Sequence, residues 1–201
     1  MHDTTRSDPD RSAPTRNSTE RLPNRTECLP DPTERLPDPA PIAPCEDVHT
    51  SSETVTHERR DHVSADVDGH AVVGVTNDVG ELLVLIEPDR KIALLPHGTV
   101  EPGDDWAAAA RSSVEGQTGV SIALDAVAAV RTVVHLVDGS EHTTTHRIVY
   151  SGSPTGGEIR DCKRSAAAGT DGWEARWVET LPDGVSPPEG GVGNDLEVFL
   201  G

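Results

Sequence analysis

One segment constrains the fold of this chain more than any other, because it spells out a helix together with both of its ends. Asp104-Asp105 stand directly before Trp106-Ala-Ala-Ala-Ala-Arg-Ser-Ser-Val-Glu-Gly-Gln-Thr118, and Gly119 follows. Aspartates at a helix start accept from free backbone N–H groups and meet the positive end of the helix dipole. A glycine just past the end takes the left-handed conformation that closes the last turn. The pattern predicts a helix of about three and a half turns over 106–118. Before it, Gly98, Pro102 and Gly103 mark a loop, and the run Ile92-Ala-Leu-Leu95 reads as a short strand stopped by Pro96.

The segments on either side supply the strands. Ala71-Val-Val-Gly-Val-Thr76 and Leu82-Leu-Val-Leu-Ile86 flank the turn signal Asn77-Asp-Val-Gly80, which predicts two strands joined by a tight turn. Val127–Val137 and His142–Tyr150 flank Asp138-Gly139, a hairpin signal. Trp173-Glu-Ala-Arg-Trp-Val178 alternates as a last strand, with Trp173 and Trp177 on one face as core residues. The fold class expected is α/β, over residues 67–185.

Residues 1–66 have a different character. The first fifty residues hold nine of the sixteen prolines, and no aromatic precedes Trp106. A seven-residue unit recurs as Thr19-Glu-Arg-Leu-Pro-Asn-Arg25, Thr26-Glu-Cys-Leu-Pro-Asp-Pro32 and Thr33-Glu-Arg-Leu-Pro-Asp-Pro39. A proline costs a helix interior about 3 kcal/mol, so the period cannot be a coiled coil, and 1–66 is expected to be disordered and extended. It carries no motif that names a protein partner. Met1 is the only methionine, so synthesis starting at Val48 or Val55 is an alternative. Residues 186–201, rich in proline and glycine with a short apolar end at 196–200, read as a flexible tail.

Charge narrows the function classes. Seventeen Lys+Arg stand against 35 Asp+Glu, a formal charge of −18, and only Lys91 and Lys163 are lysines. No basic patch offers to displace counterions from a nucleic acid. An acid-rich, lysine-poor surface suits concentrated salt, where at about 1 M the screening length falls to about 3 Å. The expectation is a halophilic, cytoplasmic, acidic protein. No apolar run reaches the ~20 residues of a membrane span, and no signal-peptide pattern opens the chain. Cys28, Cys45 and Cys162 lack metal-finger spacing. His142 and His146 lie four apart in strand-like sequence and read as solvent-facing residues.

The stretch Leu95-Pro-His-Gly-Thr-Val-Glu-Pro-Gly-Asp-Asp-Trp through Gly119-Val120 resembles the box of the Nudix family, G-x5-E-x7-R-E-U-x-E-E-x-G-U. Gly98 takes the first glycine, Asp104 stands in for the first glutamate, and Val114, Gly119 and Val120 fit. Val100, Glu101, Gly103 and Ala109 match common family choices, as does Arg176-Trp177-Val178 before Leu181-Pro182. The resemblance covers about residues 68–183. It implies an α/β/α sandwich around a mixed sheet, and hydrolysis of the pyrophosphate of nucleoside diphosphates linked to another group, with Mg or Mn.

The departures fall where the family holds its metal. Ser112-Ser113 replace Arg-Glu, Gly116-Gln117 replace Glu-Glu, and His97 replaces the first glycine of the usual pair. Positions 113, 116 and 117 share one helix face. Magnesium takes oxygen ligands, usually through one or two carboxylates plus phosphates, and that face offers a hydroxyl, nothing and a neutral amide. The remaining candidates are Asp104 and Glu101 for catalysis, and His97, Gly98, Gly103 and Arg111 for substrate. For metal they are Asp104 and Glu115, although Asp104 also fits a cap and Glu115 also fits an i,i+4 pair with Arg111. Two functions follow. One is a hydrolase of weak activity, using metal carried by the substrate and a distant carboxylate such as Asp171 or Glu174. The other is a non-catalytic nucleotide-binding or regulatory module. The partner in both is a small nucleotide or nucleoside diphosphate derivative.

Overall fold

The computed structural model describes residues 48–59, 67–160, 172–189 and 191–200. The heptad repeats, the three cysteines and Asp171 lie outside the described residues. Ten elements follow in order: β1 (His49–His57), β2 (Gly69–Val75), β3 (Leu82–Glu87), β4 (Ile92–Leu94), β5 (His97–Val100), α1 (Trp106–Thr118), β6 (Val120–Val137), β7 (Ser140–Gly157), β8 (Glu174–Val178) and α2 (Gly191–Leu200).

Helix α1 has the ends the sequence announces. The Asp105 side chain accepts from Ala107 N and Ala108 N at 3.0 and 3.4 Å, and Gly119 at φ 84° donates to Glu115 O. The cap is Asp105 and not Asp104. Asp138 and Gly139 both have positive φ, 53° and 75°, the conformation a two-residue hairpin requires, and β6 and β7 pair across them.

The strands form a mixed sheet of order β1-β6-β7-β2-β5 and an antiparallel sheet of order β4-β3-β8. In the first, β1 runs parallel to β6 and β2 parallel to β7, while β6/β7 and β2/β5 are antiparallel. The two faces of β2 belong to different cores. Ala71, Val73 and Val75 pack with Trp106, Ala110 and Val114 of α1. Val72 packs with Leu196 of α2, and a side chain at Gly74 would run into Phe199. Helices therefore cover both faces, giving the expected α/β arrangement around a mixed sheet.

Several expectations change. The strands on either side of Asn77–Gly80 are joined by a tight turn as expected, with Gly80 N donating to Asn77 O and Asn77 N to Glu81 O, but they part beyond the bridge Thr76↔Leu82 and enter different sheets. Both strands are apolar on consecutive residues, so each needs cover on both faces. The Gly98 segment is not a loop but strand β5, paired with β2 from Gly69↔Val100 to Val72↔His97. Residues 49–57 lie inside the stretch read as disordered, yet their Thr/Val-rich sequence forms β1. The supposed C-terminal tail contains α2, because Leu196, Phe199 and Leu200 recur at helical spacing and pack inward. Trp173 and Trp177 pack against the α1-side core, as expected.

Candidate functional site

Neighbouring residues of a strand point to opposite faces, and β5 uses this to separate two environments. On the α1 face lies Gly98. A Cβ there would overlap the Ser113 hydroxyl, so the helix can sit this close only because the strand is bare at that point. The Ser113 Oγ donates to Ala109 O at 2.6 Å. One turn on, Gln117 accepts from His97 N at 3.1 Å through Oε1 and donates to His97 O at 2.7 Å through Nε2. The side-chain amide thus pairs with a strand backbone as another strand would. Gly116 has open space around it. All three positions that would carry metal carboxylates in a Nudix box therefore serve helix–strand packing or nothing.

The acids that remain are at the head of the helix. Glu101 and Asp104 are exposed and tied to each other: Asp104 N donates to Glu101 O at 3.0 Å, and Glu101 N to Asp104 Oδ2 at 3.2 Å. Gly103, at φ 85°, makes the turn between them. Glu115 is exposed on the helix. Arg111 lies near Tyr150, whose buried hydroxyl is pushed up by burial first and the Asp105 charge second, against the pull of Arg111. The Glu174 carboxylate accepts from Arg176 Nη2 at 2.6 Å on β8. Among the described residues, no group of three or more His, Cys, Asp or Glu side chains is placed to hold a metal ion. The donor set at 113, 116 and 117 does not fit the magnesium or manganese that the family resemblance implies.

On the other face of β5 lies a cavity of about 200 Å³, lined by His70, Val72, Leu95, His97, Arg147 and Asp195. Of the residues singled out from sequence, only His97 reaches it, with Nδ1 bonded to Leu95 O at 2.9 Å. The opposite wall is built on a buried carboxylate. Asp195 of α2 is 1% exposed and accepts from Arg131 Nε at 2.7 Å through Oδ1, while Oδ2 lies 3.5 Å from Arg147 Nε without a hydrogen bond. Burial pushes the Asp195 carboxyl up from its ordinary value, against the two arginines that pull it down. Arg147 Nη1 is also buried with no hydrogen-bond partner among the described residues. His70 is lowered to about 4, first by burial and then by Arg147, so it stands neutral beside the guanidinium.

His70, Arg147 and Asp195 were not legible as site residues. Asp195 sits in the supposed tail, and His70 and Arg147 come together only because β2 and β7 pair at His70↔Arg147. A charged residue on the inward face of a strand was the one signal available.

No family model matches this chain, and no curated protein matches it. Solved structures do. The chain is similar to a MutT protein from Bacillus halodurans, with 17% identity, 64% of this chain and 78% of that one covered, and a TM-score of 0.42. It is similar to a Nudix hydrolase from Nitrosomonas europaea, with 18% identity, 66% and 88% covered, and a TM-score of 0.45. An ADP-ribose pyrophosphatase from Streptococcus suis has 13% identity, 65% and 87% covered, and a TM-score of 0.41. Among the described residues no helix is long and apolar enough to cross a membrane.

Proposed function

We propose that this chain is a Nudix-type protein that binds a nucleotide or nucleoside diphosphate derivative without hydrolysing it. The observation that carries this reading is the double hydrogen bond from Gln117 to the backbone of His97. It uses a metal-ligand position of the box as a fastening between helix and strand. Hydrolysis of a pyrophosphate at neutral pH asks for a cation held by carboxylates, which polarises the phosphoryl group and activates water. Ser113, Gly116 and Gln117 supply none of that, and of the exposed pair Glu101 and Asp104 the second spends a carboxylate oxygen on the backbone of its own loop.

Binding is assigned to the cavity on the other face of β5. Val72 and Leu95 give it apolar walls, and His70, His97, Arg147 and Asp195 line the rest. A cavity of about 200 Å³ is smaller than the ~300–1,000 Å³ of sites that enclose drug-sized ligands. It would take one ring of a nucleotide and leave the phosphates outside. His97, Gly98 and Gly103 then matter chiefly as the strand and turn that shape this edge of the sheet.

The test incubates the protein at high salt with Mg²⁺ or Mn²⁺ and a panel of nucleotide-sugars, dinucleoside polyphosphates and NADH, following binding by calorimetry and monophosphate release by chromatography. Saturable binding without release is expected. Turnover that disappears in Asp104→Ala would overturn the non-catalytic reading in favour of a hydrolase using metal brought by its substrate.

A further inference from the structure

Strand β1 is an edge strand whose side chains bury little. Of its nine residues Glu53 and His57 are half-buried and the others are exposed, Val55 the least of them at 36%. Among the described residues its backbone pairs with β6 alone, from His49↔Ala129 to His57↔Val137. A strand with few buried contacts and one open edge separates from its sheet at low free energy. Two side-chain contacts supplement the ladder. Near the start, Arg131 Nη1 donates to Ser51 Oγ at 3.2 Å. At the end, His57 Nε2 and His135 Nδ1 share a hydrogen bond of 2.9 Å, with ring centroids 5.1 Å apart. The other nitrogen of His135 is bonded to Thr145 Oγ1 of β7 at 2.8 Å.

A hydrogen bond between two imidazole nitrogens needs one proton: one ring donates and the other keeps its lone pair. A first protonation keeps that bond and makes it charge-assisted. A second leaves two donors and two positive charges facing each other. We propose that the His57–His135 pair is a proton-operated latch, which docks β1 on β6 at neutral pH and releases it when both rings are charged.

The surroundings set where release occurs. Burial holds His135 below its ordinary value, with His57 of β1 and His142 of β7 acting in the same direction and Glu53 of β1 opposing them. The charge of His135 also reaches His70 across the sheet. For a base held down in the docked state, docking is favoured in full above the ordinary histidine value of about 6.5. It is lost as pH falls through the lowered value. Each pH unit of that lowering changes the docking equilibrium about tenfold. The latch also communicates with the cavity, because Arg131 holds Ser51 of β1 with one nitrogen and Asp195 of α2 with another.

Hydrogen exchange on the full chain tests this, comparing about pH 7.5 with about pH 5 after correction for intrinsic rates. Protection of the β1 amides should fall at the lower pH while the β2 and β3 amides keep theirs. In His57→Gln, which retains hydrogen-bonding groups but does not titrate, the fall in β1 protection should be clearly smaller, with only the part due to His135's own burial and His142 left. Unchanged β1 protection in the native chain overturns the latch, and so does an equal fall in the variant. Histidine ring resonances followed by NMR give an independent check that needs no variant. The second ring to charge should do so together with release of β1, and charging of both rings with β1 still protected would overturn the proposal.

Discussion

Gly98 and Ser113 occupy one space: a methyl group on the glycine would coincide with the serine hydroxyl, and the helix stands on the strand at that point with nothing between. This contact fixes how α1 sits on β5, and it makes Gly98 a packing residue. Gly98→Ala should therefore push the helix away and lower stability by about 1–3 kcal/mol, the usual range for overpacking. Combining it with Ser113→Gly should recover part of the loss, read as a coupling in a double-mutant cycle by urea denaturation. Additive effects would disprove the contact.

Gln117 can be tested by two substitutions that separate packing from charge. Gln117→Ala removes both bonds to His97 and should lower stability by about 1–3 kcal/mol. Gln117→Glu keeps the acceptor for His97 N but sets a second carboxylate oxygen against His97 O, where only the protonated acid can donate. Its folded-state pKa is then raised, so its contribution should be present below about pH 4.3 and lost as the pH rises through the higher value. Chemical denaturation at about pH 4 and about pH 7 reads the difference, and a variant stabilised at the higher pH would contradict the clamp.

Removing the buried carboxylate should be more damaging than removing any exposed acid. Asp195→Ala leaves Arg131 and Arg147, whose side chains are 15% and 14% exposed, without their counter-charge. Breaking a buried pair from one side typically lowers stability by about 3–5 kcal/mol. Asp104→Ala should change it by less than about 1 kcal/mol, since that side chain is exposed. Thermal unfolding of the two variants side by side measures the contrast. Equal effects would show that the arginine–carboxylate group is not a structural unit.

Salt should stabilise the protein. With 35 acids against 17 basic residues, self-repulsion falls as the screening length drops from about 10 Å at 0.1 M to about 3 Å at 1 M. The unfolding temperature should rise across that range in sodium chloride. A flat profile would remove the argument for adaptation to concentrated salt.

How far the sequence carried the fold depended on whether the signal was local. Asp105, Gly119 and the Asp138-Gly139 turn each act through their own backbone, and each stands where its chemistry requires. The pairing of β2 was not local. Its consecutive apolar residues announced burial on two faces but named no neighbours, so its separation from β3 into another sheet was invisible. Strand β5 was hidden for a related reason. Its glycine reads as a loop signal, and the cause of that glycine lies fifteen residues away on Ser113. The same holds for the cavity, whose His70, Arg147 and Asp195 come from three elements far apart in the chain.

A sheet is only one backbone thick, and at residue 97 this has a practical result. The amide of Gln117 holds the main chain of His97 from one side, while its ring forms part of the cavity wall on the other. If the cavity binds the proposed nucleotide, a substitution on the helix alters its affinity without approaching it, by tilting the imidazole through the peptide plane that carries it. Mutational scans for that binding should then find phenotypes on the far side of the wall, and those hits would map a lever rather than a contact surface.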